Sequence, residues 1–199
     1  MFIKSVDLRT VVLALLLNNA RRYGLIHQFL HWVTAPLIIG VYAIGLWMND
    51  LDYYSAYYQS APMLHKTVAV VITILMLFRL IWKCLNRPVR PLNGQKVVEQ
   101  RLASFTHLAM YGVIFMLALT AYLFSTADGT ALGLWFGIEV PAISGLAMSG
   151  KWIDRLGLAH EWLAHALALM IILHVSAVVK HAFIDKQKVL SRMFGTGPK

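Results

Sequence analysis

Four runs of apolar residues, roughly 23–48, 62–85, 102–124 and 156–183, are each longer than the ~20 residues a helix needs to cross a bilayer core. Inside hydrocarbon every backbone N–H and C=O must find a partner within the protein, and a long apolar run achieves this only as a helix. The runs therefore predict an all-α integral membrane four-helix bundle.

Composition agrees with that class: 59% of the 199 residues are hydrophobic and 14% are charged. A net charge of +9 would suggest nucleic acid as partner in a soluble domain. Here the cations lie between apolar runs and report topology, so no nucleic-acid partner is expected. Of the 18 Lys and Arg, fourteen flank one end of the runs, in the N-terminal segment, the second connection and the C-terminal flank. At the other end stand only Lys66, Lys151 and Arg155. The positive-inside bias then predicts both termini in the cytoplasm, with four spans. Cys84 is the sole cysteine, which excludes an intrachain disulfide and any multi-thiolate metal site.

Three parts are expected: an N-terminal interfacial segment over 1–22, a transmembrane domain over 23–194 and a short tail over 195–199. The apolar stretch 10–17 is too short to span. Read as a signal peptide, it would leave Arg21 and Arg22 outside against the charge bias, so an uncleaved interfacial segment is the better reading. The first connection, with Tyr53, Tyr54, Tyr57 and Tyr58, has the character of an aromatic belt. The third, 126–151, is long and glycine-broken, and is either a lid over the bundle or a docking surface.

The histidines then acquire depths. His160 and His174 lie fourteen residues apart on the fourth run, about 21 Å along a helix and within about 40° of one face. His65 opens the second run at the level of His160, and His31 lies on the first near the level of His174. Two pairs at two depths can each supply both axial bonds to a haem iron, an arrangement that leaves no site for substrate and suits electron transfer. Helix-end histidines that merely sit at the interface are the competing reading, which four histidines pairing by depth make the weaker one. Arg79 follows His65 by fourteen residues and shares its face. It can pair with a haem propionate near the inner histidines, or snorkel to the helix end. His107 rivals His31 as inner ligand or donates to a propionate, and His181, seven residues beyond His174, is placed to meet a quinone carbonyl. His165 is rotated away and assigned to packing; His27 is expected to face the headgroups. Lys66 and Lys151 are candidates for an outer propionate or for attracting an anion. No CxxCH attachment motif is present, so any haem is held non-covalently.

The order of Leu30-His31-Trp32, Leu64-His65, Arg79, His107-Leu108 with Tyr111, His160-Glu161, His174 and His181 resembles the bacterial cytochrome b561 family over about 23–194. That resemblance implies two haem b groups, ligated by His31, His65, His160 and His174. Family members include superoxide:ubiquinone oxidases, carriers between quinol and partner proteins, and membrane anchors of hydrogenases and formate dehydrogenases. The expectation is thus a cytochrome moving single electrons between a periplasmic donor, superoxide being one version, and ubiquinone. The alternatives are an anchor that relays electrons for a separate redox subunit, and a histidine-lined metal transporter. The transporter is disfavoured because the acidic residues lie outside the spans or at their ends and the histidines form two layers rather than one.

Overall fold

The computed structural model describes residues 8–91, 94–146 and 148–194. The expected tail 195–199 and the first seven residues of the interfacial segment lie outside the described residues. Helix α1 spans Leu8–Leu16, α2 Leu25–Asn49, α3 Ser60–Leu85, α4 Val97–Ser125 and α5 Gly150–Val179. A π-turn over Lys180–Ile184 and the short helix α6, Val189–Met193, follow. Between α4 and α5 lie two short strands, β1 (Leu132–Gly133) and β2 (Glu139–Val140), paired antiparallel with Leu132 opposite Val140.

Helices α2, α3, α4 and α5, the last with its π-turn, are long and apolar enough to cross a membrane. Few of their residues are buried within the protein, and side chains such as Phe29, Ile39, Ile74, Leu119, Leu169 and Ile172 are exposed, as lipid-facing positions are. Three helices start earlier than their apolar runs, α3 by two residues, α4 by five and α5 by six. At α4 the Glu99 carboxylate accepts the backbone N–H of Lys96, one half of a capping box that extends the helix over polar residues. At α5 the first turns are held by Arg155 over the Trp152 ring, 5.2 Å from its centroid.

The chain divides into two compact units, and each of α2 to α5 contributes to both. The first comprises residues up to Ala35, Leu75–Ala103 and 173 onward. Its centre includes Leu30, Met76, Gln28, His27 and the fully buried Thr34. Thr34 Oγ1 donates to the Leu30 carbonyl at 2.6 Å. Pro36, inside α2, is the first residue assigned to the second unit. The N-terminal segment is tied into the first unit by polar contacts. Asn18 accepts the Gly24 N–H and donates to the Arg87 carbonyl, while Arg90 N–H donates to the Ala20 carbonyl. Gly24 packs directly on the Leu16 carbonyl, so a side chain there would collide with backbone. His27 differs from expectation: it is buried and stacked on Tyr23, ring centroids 4.5 Å apart, rather than turned to the headgroups. A ring stacked on tyrosine is covered by its neighbour, whatever its distance from the helix end.

The second unit comprises Pro36–Ile74 and Ser104–Ile172. Its core is Ile38, Ala61, Ile72, Tyr111, Ile114 and Leu167, with Leu132 and Leu134 contributed by the hairpin. The turn of that hairpin places Phe136 at φ 62°, a left-handed conformation uncommon for a non-glycine residue, and leaves its ring 89% exposed.

Candidate haem-binding histidines

The second unit brings His65 of α3 and His160 of α5 together in an edge-to-face arrangement. Their ring centroids are 6.5 Å apart and the planes are inclined at 71°. A metal-bound imidazole nitrogen sits about 2 Å from its metal. Two rings on opposite sides of one iron therefore have centroids roughly 6 Å apart, and the observed separation fits such an arrangement.

Hydrogen bonding sets the tautomer of His160. Its Nδ1 lies 3.1 Å from the Leu117 carbonyl and 3.3 Å from Thr120 Oγ1. A carbonyl only accepts, so Nδ1 carries the proton and Nε2 keeps its lone pair for a metal. Thr120 is itself oriented by donation to the Met116 carbonyl at 2.8 Å. Phe124 meets the same imidazole edge-on, 5.7 Å between centroids. His65 Nδ1 is buried beside the Val41 backbone and lacks a well-aligned hydrogen bond. Across from it, a Cβ on Gly45 would stand 3.1 Å from His65 Cε1, so glycine is what allows α2 to pass this close to the ring.

The hairpin of the third connection is fastened to the same turn of α3. Trp135 N–H donates to Thr67 Oγ1 at 2.9 Å, two residues beyond His65. Tyr122 Oη donates to the Pro141 carbonyl at 2.7 Å and holds the descending arm. Lys66 lies between the histidine and this anchor. Among outer acidic groups, the Asp128 carboxyl is held below the usual carboxylate range by the backbone and side chain of Thr130.

His165 is not a packing residue. It is exposed, and Tyr42 Oη lies 2.9 Å from its Nδ1 while Glu161 lies 3.8 Å from its Nε2. Rotation away from His160 turns it to the polar partners on α2 and on its own helix.

The first unit gathers His31, Arg79 and His174. Arg79 NH2 lies 2.9 Å from His31 Nδ1, and NH1 donates to Thr34 Oγ1 at 3.3 Å. Its charge also acts on His174. A guanidinium only donates, so His31 Nδ1 accepts and the ring carries its proton on Nε2. Arg79 is thus directed at His31 and not towards the helix end. His107 is exposed and belongs to the second unit.

His181 falls on the π-turn, where Nδ1 meets Asp185 Oδ2 at 2.7 Å. Lys180 joins the cluster through Asp185 at 2.9 Å and Glu99 at 3.3 Å. Lys180 first, and His181 after it, hold the Asp185 carboxyl below the usual carboxylate range. Spacing alone could not find Thr120, the Leu117 carbonyl or Thr34. The only available signal was a threonine inside an apolar run.

The family model for prokaryotic cytochrome b561 matches residues 22–196. Cytochrome b561 homolog 2 of Escherichia coli (strain K12) is 36% identical over 178 residues, covering 89% of this chain and 94% of that protein. Matched over nearly its whole length in both ways, the chain belongs to the prokaryotic cytochrome b561 family and is a multi-pass membrane b-type cytochrome of electron transfer.

Proposed function

We propose that the chain carries two haems b and moves single electrons across the bacterial inner membrane, between a donor at its outer end and the ubiquinone pool. In this reading His65 and His160 would hold the outer haem, and His31 and His174 the inner one. The observation that carries it is the edge-to-face meeting of His65 and His160 at 6.5 Å, with His160 Nδ1 spent on Leu117. The strong bias of cations to one end supports an orientation with both termini in the cytoplasm.

Bound haem supplies the one-electron iron couple. The chain's own residues do the rest. His160 is fixed in one tautomer by the Leu117 carbonyl and Thr120, so no proton has to leave Nε2 before it binds iron. His31 can bind through Nε2 only as the Nδ1–H tautomer, which requires Arg79 to release it. A haem carboxylate is the natural acceptor for that guanidinium. Leu132 and Leu134 of the fastened hairpin are buried in the outer unit and help keep water from it. At the other end Asp185 occupies His181 Nδ1, which leaves Nε2 to face a quinone oxygen.

Superoxide is the specific donor we favour. Each superoxide loses one electron to become dioxygen, and two electrons with two protons convert quinone to quinol. Lys66, beside the hairpin anchor, is the cation placed to attract such an anion. The Glu and Asp residues of that end outnumber its cations, so the attraction is local.

A reduced-minus-oxidised spectrum with haem counted per polypeptide tests the cofactor reading. Two b-type haems per chain are expected, and a single haem removes the two-layer assignment. Superoxide-dependent reduction of quinone by the purified protein tests the donor; no reduction removes superoxide.

A further inference from the structure

The first unit contains a cavity of about 1010 Å³ that none of the histidines lines. Its walls come from the end of the N-terminal segment, the connection leading into α4, and the chain from Lys180 to Arg192. Two carboxylates, Glu99 and Asp185, face it, and both are engaged by Lys180. Arg21, Arg90, Lys96, Lys186, Lys188 and Arg192 complete the charged lining. Among the described residues none of these six takes part in an ion pair.

Such a concentration of cations is costly through self-repulsion unless an anion offsets it. Arg192 shows the same deficit at one atom. NH1 donates to the Arg90 carbonyl at 2.6 Å, whereas Nε is buried without a hydrogen-bond partner. Arginine forks with lysines around them match phosphate oxygens. Water takes about 30 Å³ per molecule, so the space suits a headgroup rather than a lone ion.

The rim adds the second half of the ligand's chemistry. Val97 and Val98 follow Lys96, and Phe183 and Ile184 precede Asp185; all four are well exposed. A ligand with a phosphate head and apolar tails meets cations in the cavity and hydrocarbon at its edge. The left-handed Lys186, at φ 51°, and the π-turn before it set this segment apart from a plain helix end. We propose that this cavity seats the phosphodiester headgroup of an anionic phospholipid.

Inorganic phosphate shares that chemistry, and the test separates the two. Native mass spectrometry of the full haem-loaded chain in detergent would follow titration with phosphatidylglycerol, phosphatidylcholine or inorganic phosphate. Phosphatidylglycerol should bind most tightly and resist equimolar phosphate. Each cation near a membrane surface is worth roughly fivefold in affinity, so Lys186→Gln with Lys188→Gln should weaken binding about 25-fold. Lys186→Arg with Lys188→Arg should retain it, and Lys151→Gln with Arg155→Gln should leave it unchanged. Undiminished binding by the double glutamine variant, equal affinity for phosphatidylcholine, or displacement by equimolar phosphate would each overturn the proposal. Haem content is read from the same spectra, so a failure of the two-haem reading stays separate from a failure here.

Discussion

The two units hold their histidines in opposite ways. In the second, His65 and His160 already meet edge to face, and a backbone carbonyl has chosen the His160 tautomer. In the first, a charged side chain lies against His31 and takes the nitrogen lone pair that the Nδ1–H tautomer would not offer. One set is organised by neutral dipoles, the other by a cation that contacts both His31 and Thr34. The lesson is that histidines can pair by depth in the sequence and still differ in which ring nitrogen their surroundings leave open. Backbone acceptors are fixed by the helix, whereas arginine competes for whatever acceptor is nearest.

That contrast breaks most directly at the ligands. His65→Ala or His160→Ala should remove the outer haem, and His31→Ala or His174→Ala the inner one, each measured as a fall from two haems per chain to one. His107→Ala should keep both. Two haems in His31→Ala with one in His107→Ala would move the inner ligand to α4. Next in size is Gly45→Val, which forces a branched side chain onto His65 where even a Cβ stands 3.1 Å from the ring. It should deplete the outer haem and leave the inner one, as read from the separate spectral components; equal depletion of both would mean a general folding defect.

Thr120→Val tests the support of His160. Loss of a group oriented around a metal ligand typically costs 10–100-fold in affinity, and the Leu117 carbonyl remains, so about tenfold in outer haem retention is expected. Unchanged retention would show that the carbonyl alone suffices. The smallest effect belongs to the other end of the molecule. The folded pKa of Asp185 is depressed, so its stabilising contribution is present above the ordinary carboxylate value, near about 3.9, and is lost as pH falls through the folded value. Asp185→Asn should therefore melt slightly below the parent at neutral pH and converge with it in acid; a gap that widens in acid would contradict the sign.

Much of this was legible before any coordinates. The four spans were, because hydrocarbon requires long apolar helices and tolerates little else. The levels of His65 and His160 were, because rise per residue converts spacing into depth. The earlier starts of α4 and α5 were not, since Glu99 capping Lys96 and Arg155 over Trp152 extend helices through residues that read as polar connection. His27 and His165 were misread for a common reason: distance along the helix says nothing of the ring or hydroxyl across from it, Tyr23 for one and Tyr42 for the other.

By itself, then, the sequence determined a membrane-spanning all-helical chain with basic residues gathered at one end, because periodicity, length and charge act locally or against the bilayer. It also made histidine the leading haem-ligand candidate, since one cysteine cannot build a multi-thiolate site. Tertiary structure decided which atoms of those imidazoles remain for a metal. Leu117, Thr120 and Gly45 act on His160 and His65, and Thr34 and Arg79 around His31, each from a different helix or a different turn. Hydrogen bonds depend on direction across a packed interface, and no one-dimensional spacing encodes that direction.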